Sequence, residues 1–171
     1  MINLRKTLTE SHQILEARGV AHALIGGFAL ATYGQHRATF DIDFLADGSQ
    51  KKIIKDAFLA QGFSVKFESD DVLQFSGLGY VDIILANRPL SQEMLKQAVL
   101  NQNLGVYVLR PEDIIGLKIQ AYKNDPTREL QDKADIQNLL RLSNLDFKLI
   151  QKYAELFQEW PAIEKLKGIK L

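Results

Sequence analysis

Residues 26–44 read GGFALATYGQHRATFDIDF, and this stretch decides the fold around which the rest of the chain is arranged. The glycine pair at its start follows a short apolar run that is typical of a buried strand. A short helix is predicted over 28–33. The segment 40–46, FDIDFLA, then alternates with the period of two that only a strand explains, so Asp41 and Asp43 project from one face.

The paired carboxylates of this strand indicate a metal site. Two like charges held a few ångström apart repel each other unless a cation lies between them. Because their oxygens are hard ligands, the pattern favours Mg²⁺ or Mn²⁺ over Zn²⁺. Asp82, in the apolar strand YVDIILA, is a third candidate ligand, and three carboxylates on neighbouring strands can hold two metal ions. The alternative is that Asp41 and Asp43 are solvent-facing residues of an edge strand.

The glycine pair Gly26-Gly27 lies between a predicted strand and a predicted helix, which is a place where phosphate binds to backbone N–H groups. A side chain at Gly27 is expected to enter the space of the phosphates. The alternative for the pair is a plain turn. Arg37, between the helix and the aspartate strand, either contacts a triphosphate or neutralises the acidic cluster.

The pattern over the whole chain predicts an α/β (α+β) fold with a helical C-terminal part. We expect a core domain over residues 1–110 and a helical region over 111–171 that packs on it. Further strands are predicted over 63–68, 72–76, 80–86 and 105–109. Further helices are predicted over 2–18, 51–61, 91–99, from Pro111 onward, over 127–142, and over 146–170 with an interruption at Pro161.

Composition narrows the classes of function. The 171 residues include 21 Lys plus Arg, 21 Asp plus Glu and no cysteine, so disulfide frameworks, thiolate metal sites and cysteine nucleophiles are excluded. The balanced charge provides no global positive field for nucleic acid. Lysines 51, 52, 55, 165, 167 and 170 are the candidates for a local RNA-binding patch. The three histidines are scattered without metal-ligand spacing. The chain shows neither a secretion signal nor a membrane span, so we expect a cytoplasmic protein.

Lys118 stands out in the predicted helix that begins at Pro111. Ile114, Leu117, Lys118 and Ala121 follow the spacing i, i+3, i+4, i+7, which places the ammonium group on the apolar stripe. Such a lysine either extends to solvent or has a buried anionic partner. Because its neighbours on the helix include no acid, we expect Lys118 to face a cleft as an under-compensated cation that awaits triphosphate.

The glycine pair, the short helix, the Asp-x-Asp strand and a third carboxylate on a neighbouring strand together resemble the nucleotidyltransferase superfamily that includes DNA polymerase beta. The whole chain, with its helical tail, is similar to small bacterial members akin to the AbiEii toxins of toxin–antitoxin pairs. The resemblance implies a mixed-sheet core in which Gly26 and Gly27 bind triphosphate. Where many relatives have Gly-Ser, this chain has Gly-Gly, so phosphate would be bound by backbone N–H groups alone.

The resemblance also implies the roles of the charged residues. Asp41 and Asp43 would ligate both metal ions, and Asp82 would ligate the catalytic ion and act on the attacking hydroxyl. Segments LRPEDIIGLKIQAY and DKADIQNLL fit a lysine on a following helix and a later aspartate of the AbiEii-like proteins. Lys118 is the lysine, and Asp135, in preference to Asp132, is the aspartate.

The function expected from this resemblance is transfer of a nucleoside monophosphate from a nucleoside triphosphate to a hydroxyl acceptor, with release of pyrophosphate. The acceptor stays open among RNA such as tRNA, a protein and a small molecule, and a cognate antitoxin is the expected partner. Two alternatives are a catalytically silent nucleotide-binding or protein-interaction module and a metal-dependent phosphohydrolase.

Overall fold

The structure, a computed structural model, describes residues 3–168. The chain divides into two compact units, and the boundary lies between Leu109 and Arg110. Within the described residues there are seven strands: β1 His22–Ile25, β2 Asp41–Asp47, β3 Ser64–Glu68, β4 Val72–Ser76, β5 Tyr80–Ala86, β6 Val99–Asn101 and β7 Val106–Val108. The eight α-helices are α1 Leu4–Glu16, α2 Gly26–Thr32, α3 Lys51–Ala60, α4 Pro89–Lys96, α5 Pro111–Asn124, α6 Glu129–Leu139, α7 Phe147–Leu156 and α8 Trp160–Gly168.

All seven strands form one mixed sheet in the first unit, in the order β3-β4-β5-β2-β1-β7-β6. β2 pairs in parallel with β5 and antiparallel with β1, and β1 pairs in parallel with β7. The outer pairs are antiparallel. This arrangement confirms the predicted fold class, and it places β2, the strand of the Asp-x-Asp pattern, near the middle of the sheet.

The central position of β2 excludes the edge-strand alternative for the two aspartates. Ile42 and Phe44 are fully buried, while Asp41 and Asp43 are half-buried on the opposite face. Leu45 and Ala46 are buried as well, so the second half of the strand is covered on both faces. Apolar burial therefore fixes the register of β2, since a slip by one residue would turn both carboxylates into the core.

Helices α1 and α3 pack against each other in the first unit, and α1 also contacts β2 and β5. Asn3 caps α1 by accepting a hydrogen bond from the Lys6 amide at 3.0 Å. The chain leaves α1 through Gly19, whose φ of +63° belongs to the left-handed region that glycine tolerates. It then enters β1 at His22.

The second unit consists of helices, and its core contains buried polar groups that are paired. Asp113 is fully buried and accepts hydrogen bonds from Arg110 at 2.8 and 3.2 Å and from the Tyr153 hydroxyl at 2.6 Å. Burial and the Asp113 carboxylate raise the pKa of Tyr153, so its hydroxyl stays protonated as a donor. These contacts join the first turn of α5 to α7.

Several predicted boundaries were wrong, each for a local reason. The helix predicted over 91–99 is α4, which ends at Lys96, because the next residues form β6 against β7. Pro161 does not interrupt the last helix but lies in the first turn of α8, where proline is tolerated. The break instead falls at Gln158, whose φ is +59°. The glycine pair is the first turn of α2 rather than a loop before it.

No helix among residues 3–168 is long and apolar enough to cross a membrane.

Candidate active site

The three predicted metal ligands of the first unit lie together. Asp43 on β2 pairs in register with Asp82 on β5, and Asp41 lies two residues before Asp43 on the same face. Each of the three side chains offers a carboxylate oxygen within 4.8 Å of the others, and all three residues are half-buried. We call Asp41, Asp43 and Asp82 the aspartate triad. The arrangement matches the hard-oxygen ligand set that Mg²⁺ and Mn²⁺ prefer.

Neutral donors orient two of the triad carboxylates. The Thr39 hydroxyl donates to Asp41 Oδ1 at 2.9 Å, and Gln74 Nε2 on β4 donates to Asp82 Oδ2 at 2.8 Å. Gln74 pairs in register with Asp82, so one row of residues runs across β4, β5 and β2. Outer groups of this kind fix the orientation of metal-binding carboxylates. Sequence analysis did not identify either donor. For Gln74, the one available signal is the alternation of β4, in which Gln74 lies between the buried residues Leu73 and Phe75 and so points to the opposite face of the sheet.

Gly26 lies beside this row, because it follows Ile25, the register partner of Asp43 on β1. Its φ is +65°, and a Cβ at this position would overlap the Asp43 carboxylate. A side chain is therefore excluded by both the backbone conformation and the space. The glycine lets the chain turn directly from β1 into α2 beside the triad.

Gly27 lies against the side chain of Thr39, and its expected role in phosphate binding stays a prediction. A Cβ there would lie 2.7 Å from Thr39 Oγ1, so the position faces the side chain that orients Asp41. A substitution at Gly27 would therefore displace Thr39, which donates a hydrogen bond to Asp41, so it would disturb an outer partner of the triad as well as the expected phosphate space.

Arg37 lies exposed in the connection between α2 and β2, and its Nη1 donates to the Ala38 carbonyl oxygen at 3.2 Å. Contact with triphosphate and neutralisation of the triad both stay predictions for this side chain. Helix α2 begins at Gly26 without a side-chain cap from Ile25. The first-turn N–H groups of α2 are therefore not capped by this side chain, and they are the groups that we expect to bind phosphate.

In the second unit, Lys118 is buried, as its place on the apolar stripe predicted. The expectation that it lacks an anion was wrong. Its Nζ donates to Asp132 Oδ1 at 2.8 Å and to Asp135 Oδ2 at 2.6 Å, and both aspartates are buried on α6. Arg128 donates to the other oxygen of Asp132 at 3.2 Å. We call these four residues the lysine cluster. The acids lie 14 and 17 positions along the chain, which helix periodicity within α5 cannot reveal.

Both candidates for the later aspartate, Asp132 and Asp135, contact Lys118, and the assignment of that role to Asp135 stays a prediction. Asp135 was expected to take ordinary surface partners on its own helix. It is instead 3% exposed and also accepts from Gln131 at 3.0 Å. Two cations and two carboxylates balance the charge of this cluster.

Three of the candidate RNA-binding lysines have acidic neighbours. Lys51 and Lys55 share Glu68, and Lys52 pairs with Asp56. Lys167 lies over the Phe147 ring at 3.7 Å from its centroid. Lys170 lies outside the described residues.

The folds of several nucleotidyltransferases are similar to this one. The antibiotic-resistance factor ANT(2″)-Ia, in a complex with adenylyl-2″-tobramycin, is 16% identical, with a TM-score of 0.57 over 95% of each chain. The lincosamide antibiotic adenylyltransferase LnuA, with lincomycin bound, is 16% identical, with a TM-score of 0.59 over 81% of this chain and 97% of LnuA. An antigenic nucleotidyltransferase-like protein from Paracoccidioides brasiliensis is 20% identical, with a TM-score of 0.59 over 98% of this chain and 93% of its own.

No curated protein sequence gives a significant match to the chain. The family model described as the nucleotidyl transferase AbiEii toxin of type IV toxin–antitoxin systems matches residues 15–165, which include the aspartate triad and the lysine cluster. The chain therefore belongs to the AbiEii family and is a nucleotidyltransferase.

Proposed function

We propose that this chain transfers a nucleoside monophosphate from a nucleoside triphosphate to a hydroxyl group in a reaction that depends on Mg²⁺ or Mn²⁺. One observation carries the proposal, namely that Asp41, Asp43 and Asp82 offer carboxylate oxygens within 4.8 Å of one another on adjacent strands. Membership of the AbiEii family supports the transfer, and the chemistry of the ligands supports the choice of metal.

The residues present fit a divalent metal. Three half-buried carboxylates on two neighbouring strands repel one another, and a divalent cation relieves that repulsion. Bound there, Mg²⁺ would neutralise phosphate oxygens and favour ionisation of the attacking hydroxyl. Thr39 and Gln74 supply the outer hydrogen bonds that keep two of the ligands in place.

In the proposed step, the hydroxyl oxygen of the acceptor attacks the α-phosphorus of the triphosphate. A new O–P bond forms, the bond between the α-phosphorus and the bridging oxygen breaks, and pyrophosphate leaves with the electron pair. The hydroxyl proton passes to the Asp82 carboxylate and then to solvent. Gln74 holds that carboxylate from β4, so the proton acceptor has a fixed direction.

The triphosphate is assigned to the start of α2. Gly26 brings the backbone close to Asp43, and the first-turn N–H groups offer donors to phosphate oxygens. Arg37 would add a charge-assisted contact from the connection that follows α2. Because Gly-Gly provides no hydroxyl, binding by these N–H groups should depend strongly on the backbone conformation of Gly26.

Lys118 and Asp135 are assigned to the catalytic machinery on the strength of the resemblance to AbiEii-like proteins. Asp132 and Asp135 fix the position of the Lys118 ammonium, so it is oriented without ligand. We propose that this group stabilises charge on the triphosphate during transfer.

The acceptor is proposed to carry a free hydroxyl, and RNA, a protein and a small molecule are its candidate classes. ANT(2″)-Ia and LnuA are antibiotic-directed proteins, which keeps a small molecule among the classes. A type IV antitoxin is the proposed partner, in keeping with the family.

The proposal is tested by incubating the protein with each nucleoside triphosphate labelled at the α-phosphate, together with Mg²⁺ and each class of acceptor. Transfer of label with release of pyrophosphate is the expected result. Release of inorganic phosphate alone would identify a phosphohydrolase. Nucleotide binding without turnover, with every acceptor, would support the silent module instead.

A further inference from the structure

His12, Glu16 and His22 form a second cluster in the first unit that the aspartate triad does not use. His12 and Glu16 are one helical turn apart on α1, and His22 begins β1. Each offers one ligand atom, and these atoms lie within 4.8 Å of one another. The scattered sequence positions had predicted no metal site, because the turn at 17–21 that brings β1 back beside α1 is not visible in their spacing.

The ring of His22 is already oriented as a metal ligand. Its Nδ1 donates to the Val20 carbonyl oxygen at 2.6 Å, so the lone pair is on Nε2. A backbone carbonyl that accepts the other ring N–H is the usual way in which proteins fix a ligating histidine.

The second imidazole faces that lone pair. His12 Nδ1 lies 2.7 Å from His22 Nε2, so one proton joins the rings in the metal-free protein. Two nitrogen ligands of a tetrahedral Zn²⁺, with bonds of about 2.0–2.1 Å, are about 3.3 Å apart. The rings would therefore separate by about 0.6 Å, and the His12 proton would move to Nε2. Glu16 is exposed and can rotate to complete the set.

We propose that His12, Glu16 and His22 bind a transition-metal ion of the Zn²⁺ class. Two imidazoles and a carboxylate suit Zn²⁺, whereas the all-carboxylate triad suits Mg²⁺. Glu16 and His22 also line a cavity of about 280 Å³ together with Lys96 and Tyr107.

The site is separate from the triad. His22 pairs with Ala46, whereas Ile25 at the other end of β1 pairs with Asp43. Three residues of strand put the two ends about 10 Å apart. The metal would join the end of α1 to the start of β1 and stabilise that junction without entering nucleotidyl transfer.

The test is titration of the full chain with Zn²⁺ by calorimetry, and with Co²⁺ by visible absorption, in the absence of nucleotide. His12→Ala and Glu16→Gln remove ligands, while His36→Ala and Glu10→Gln are the matched controls. Asp43→Asn separates this site from the triad. Loss of even an outer partner weakens a metal site about 10–100-fold, so His12→Ala should weaken Zn²⁺ binding by at least about 100-fold.

We expect the His36→Ala, Glu10→Gln and Asp43→Asn variants to bind Zn²⁺ as the wild type does, with the Co²⁺ bands of a four-coordinate site. Zn²⁺ at about 100 times its Kd should raise the wild-type Tm by about 5–10 °C. Unchanged binding in folded His12→Ala and Glu16→Gln would overturn the proposal. The proposal would also be overturned if Asp43→Asn lost Zn²⁺ binding while His12→Ala kept it, because that result would assign the ion to the triad.

Discussion

The aspartate triad and the lysine cluster are both groups of close carboxylates, but they are compensated differently. In the triad, the hydrogen bonds that Thr39 and Gln74 donate come from neutral groups. In the lysine cluster, Lys118 and Arg128 bring two positive charges to two buried aspartates. The first arrangement offers a set of oxygen ligands that suits a divalent cation, whereas in the second the ammonium of Lys118 lies directly against both carboxylates.

The difference separates binding from stability. Repulsion between oriented carboxylates lowers the free energy of unfolding of the metal-free protein, and a metal ion that binds between them relieves this repulsion. A buried pair of opposite charges contributes little net stability over an apolar pair, yet removal of one partner is costly. Substitutions in the two regions should therefore differ most in their effect on the free energy of unfolding.

The largest expected effect is loss of transfer activity in Asp43→Asn. Removing a ligand that faces both Gly26 and Asp82 should lower transfer on the order of 1,000-fold, since metal-based charge stabilisation contributes several kcal/mol. The free energy of unfolding of the metal-free variant should be unchanged or slightly higher because repulsion is relieved. Pyrophosphate release and denaturant melts measure the two quantities.

Asp47→Asn is the matched control for that variant. Asp47 lies on the same strand and caps the following turn by accepting from the Ser49 amide at 3.0 Å, which asparagine can also do. Its activity should stay within about twofold of wild type, since a surface substitution of this kind changes free energies by at most about 0.5 kcal/mol. Equal losses of transfer activity in Asp43→Asn and Asp47→Asn would mean that activity depends on the negative charge of β2 as a whole and not on a specific set of metal ligands.

Lys118→Met should reverse the pattern by destabilising the fold. It leaves Asp132 and Asp135 buried without their main cation, and loss of one partner of a buried pair costs about 3–5 kcal/mol. Lys123→Met, on the same helix, removes an exposed pair with Glu159 and should cost at most about 1 kcal/mol. Denaturant melts compare the two variants. A Lys118→Met protein as stable as Lys123→Met would contradict the self-compensated account of the lysine cluster.

Gly26→Ala tests whether transfer activity depends on the backbone conformation beside the triad. The new Cβ overlaps the Asp43 carboxylate and also strains a φ of +65°, so we expect activity to fall on the order of 100-fold, as for a displaced transition-state contact. Gly34→Ala has a φ of +80° with no atom within 4 Å of the added Cβ. It should cost about 1–2 kcal/mol of stability from strain alone and keep activity. Steady-state kinetics beside melts separate the two effects.

The smallest expected effect concerns the outer donor Gln74. Gln74→Leu removes the hydrogen bond to Asp82 Oδ2 while keeping the size of the side chain. Loss of an outer partner should weaken metal affinity or activity about 10–100-fold, and we expect the lower end because Asp82 keeps its place in the strand register. The concentration of Mn²⁺ that gives half-maximal activity is the measurement. An unchanged value would show that the strand alone orients Asp82.

Much of the aspartate triad could be predicted because its geometry is local. Alternation placed Asp41 and Asp43 on one face, and β2 and β5 each gave a strand pattern strong enough to place Asp82. The pairing of β2 with β5 needed the family resemblance, since no local signal sets strand order. The closeness of Gly27 to Thr39 could not be predicted, because Thr39 lies beyond a helix and a turn.

The lysine cluster and the cluster of His12, Glu16 and His22 show that sequence patterns do not predict contacts between elements. Helical periodicity correctly predicted that Lys118 is buried. Its partners lie on the next helix, however, and depend on how α5 and α6 pack. His12 and His22 meet only because β1 lies beside α1 after a turn. In each case the deciding contact joins two elements, and periodicity describes one element at a time.

The central claim is that the aspartate triad is a divalent metal site, and Mn²⁺ binding measures it most directly. We would follow free Mn²⁺ by electron paramagnetic resonance during titration of the wild type, Asp43→Asn and Asp47→Asn. The account predicts that the wild type and Asp47→Asn bind Mn²⁺ equally and that excess Mg²⁺ displaces it, while Asp43→Asn binds at least about 10-fold more weakly. Equal Mn²⁺ affinity in wild type and Asp43→Asn would contradict it.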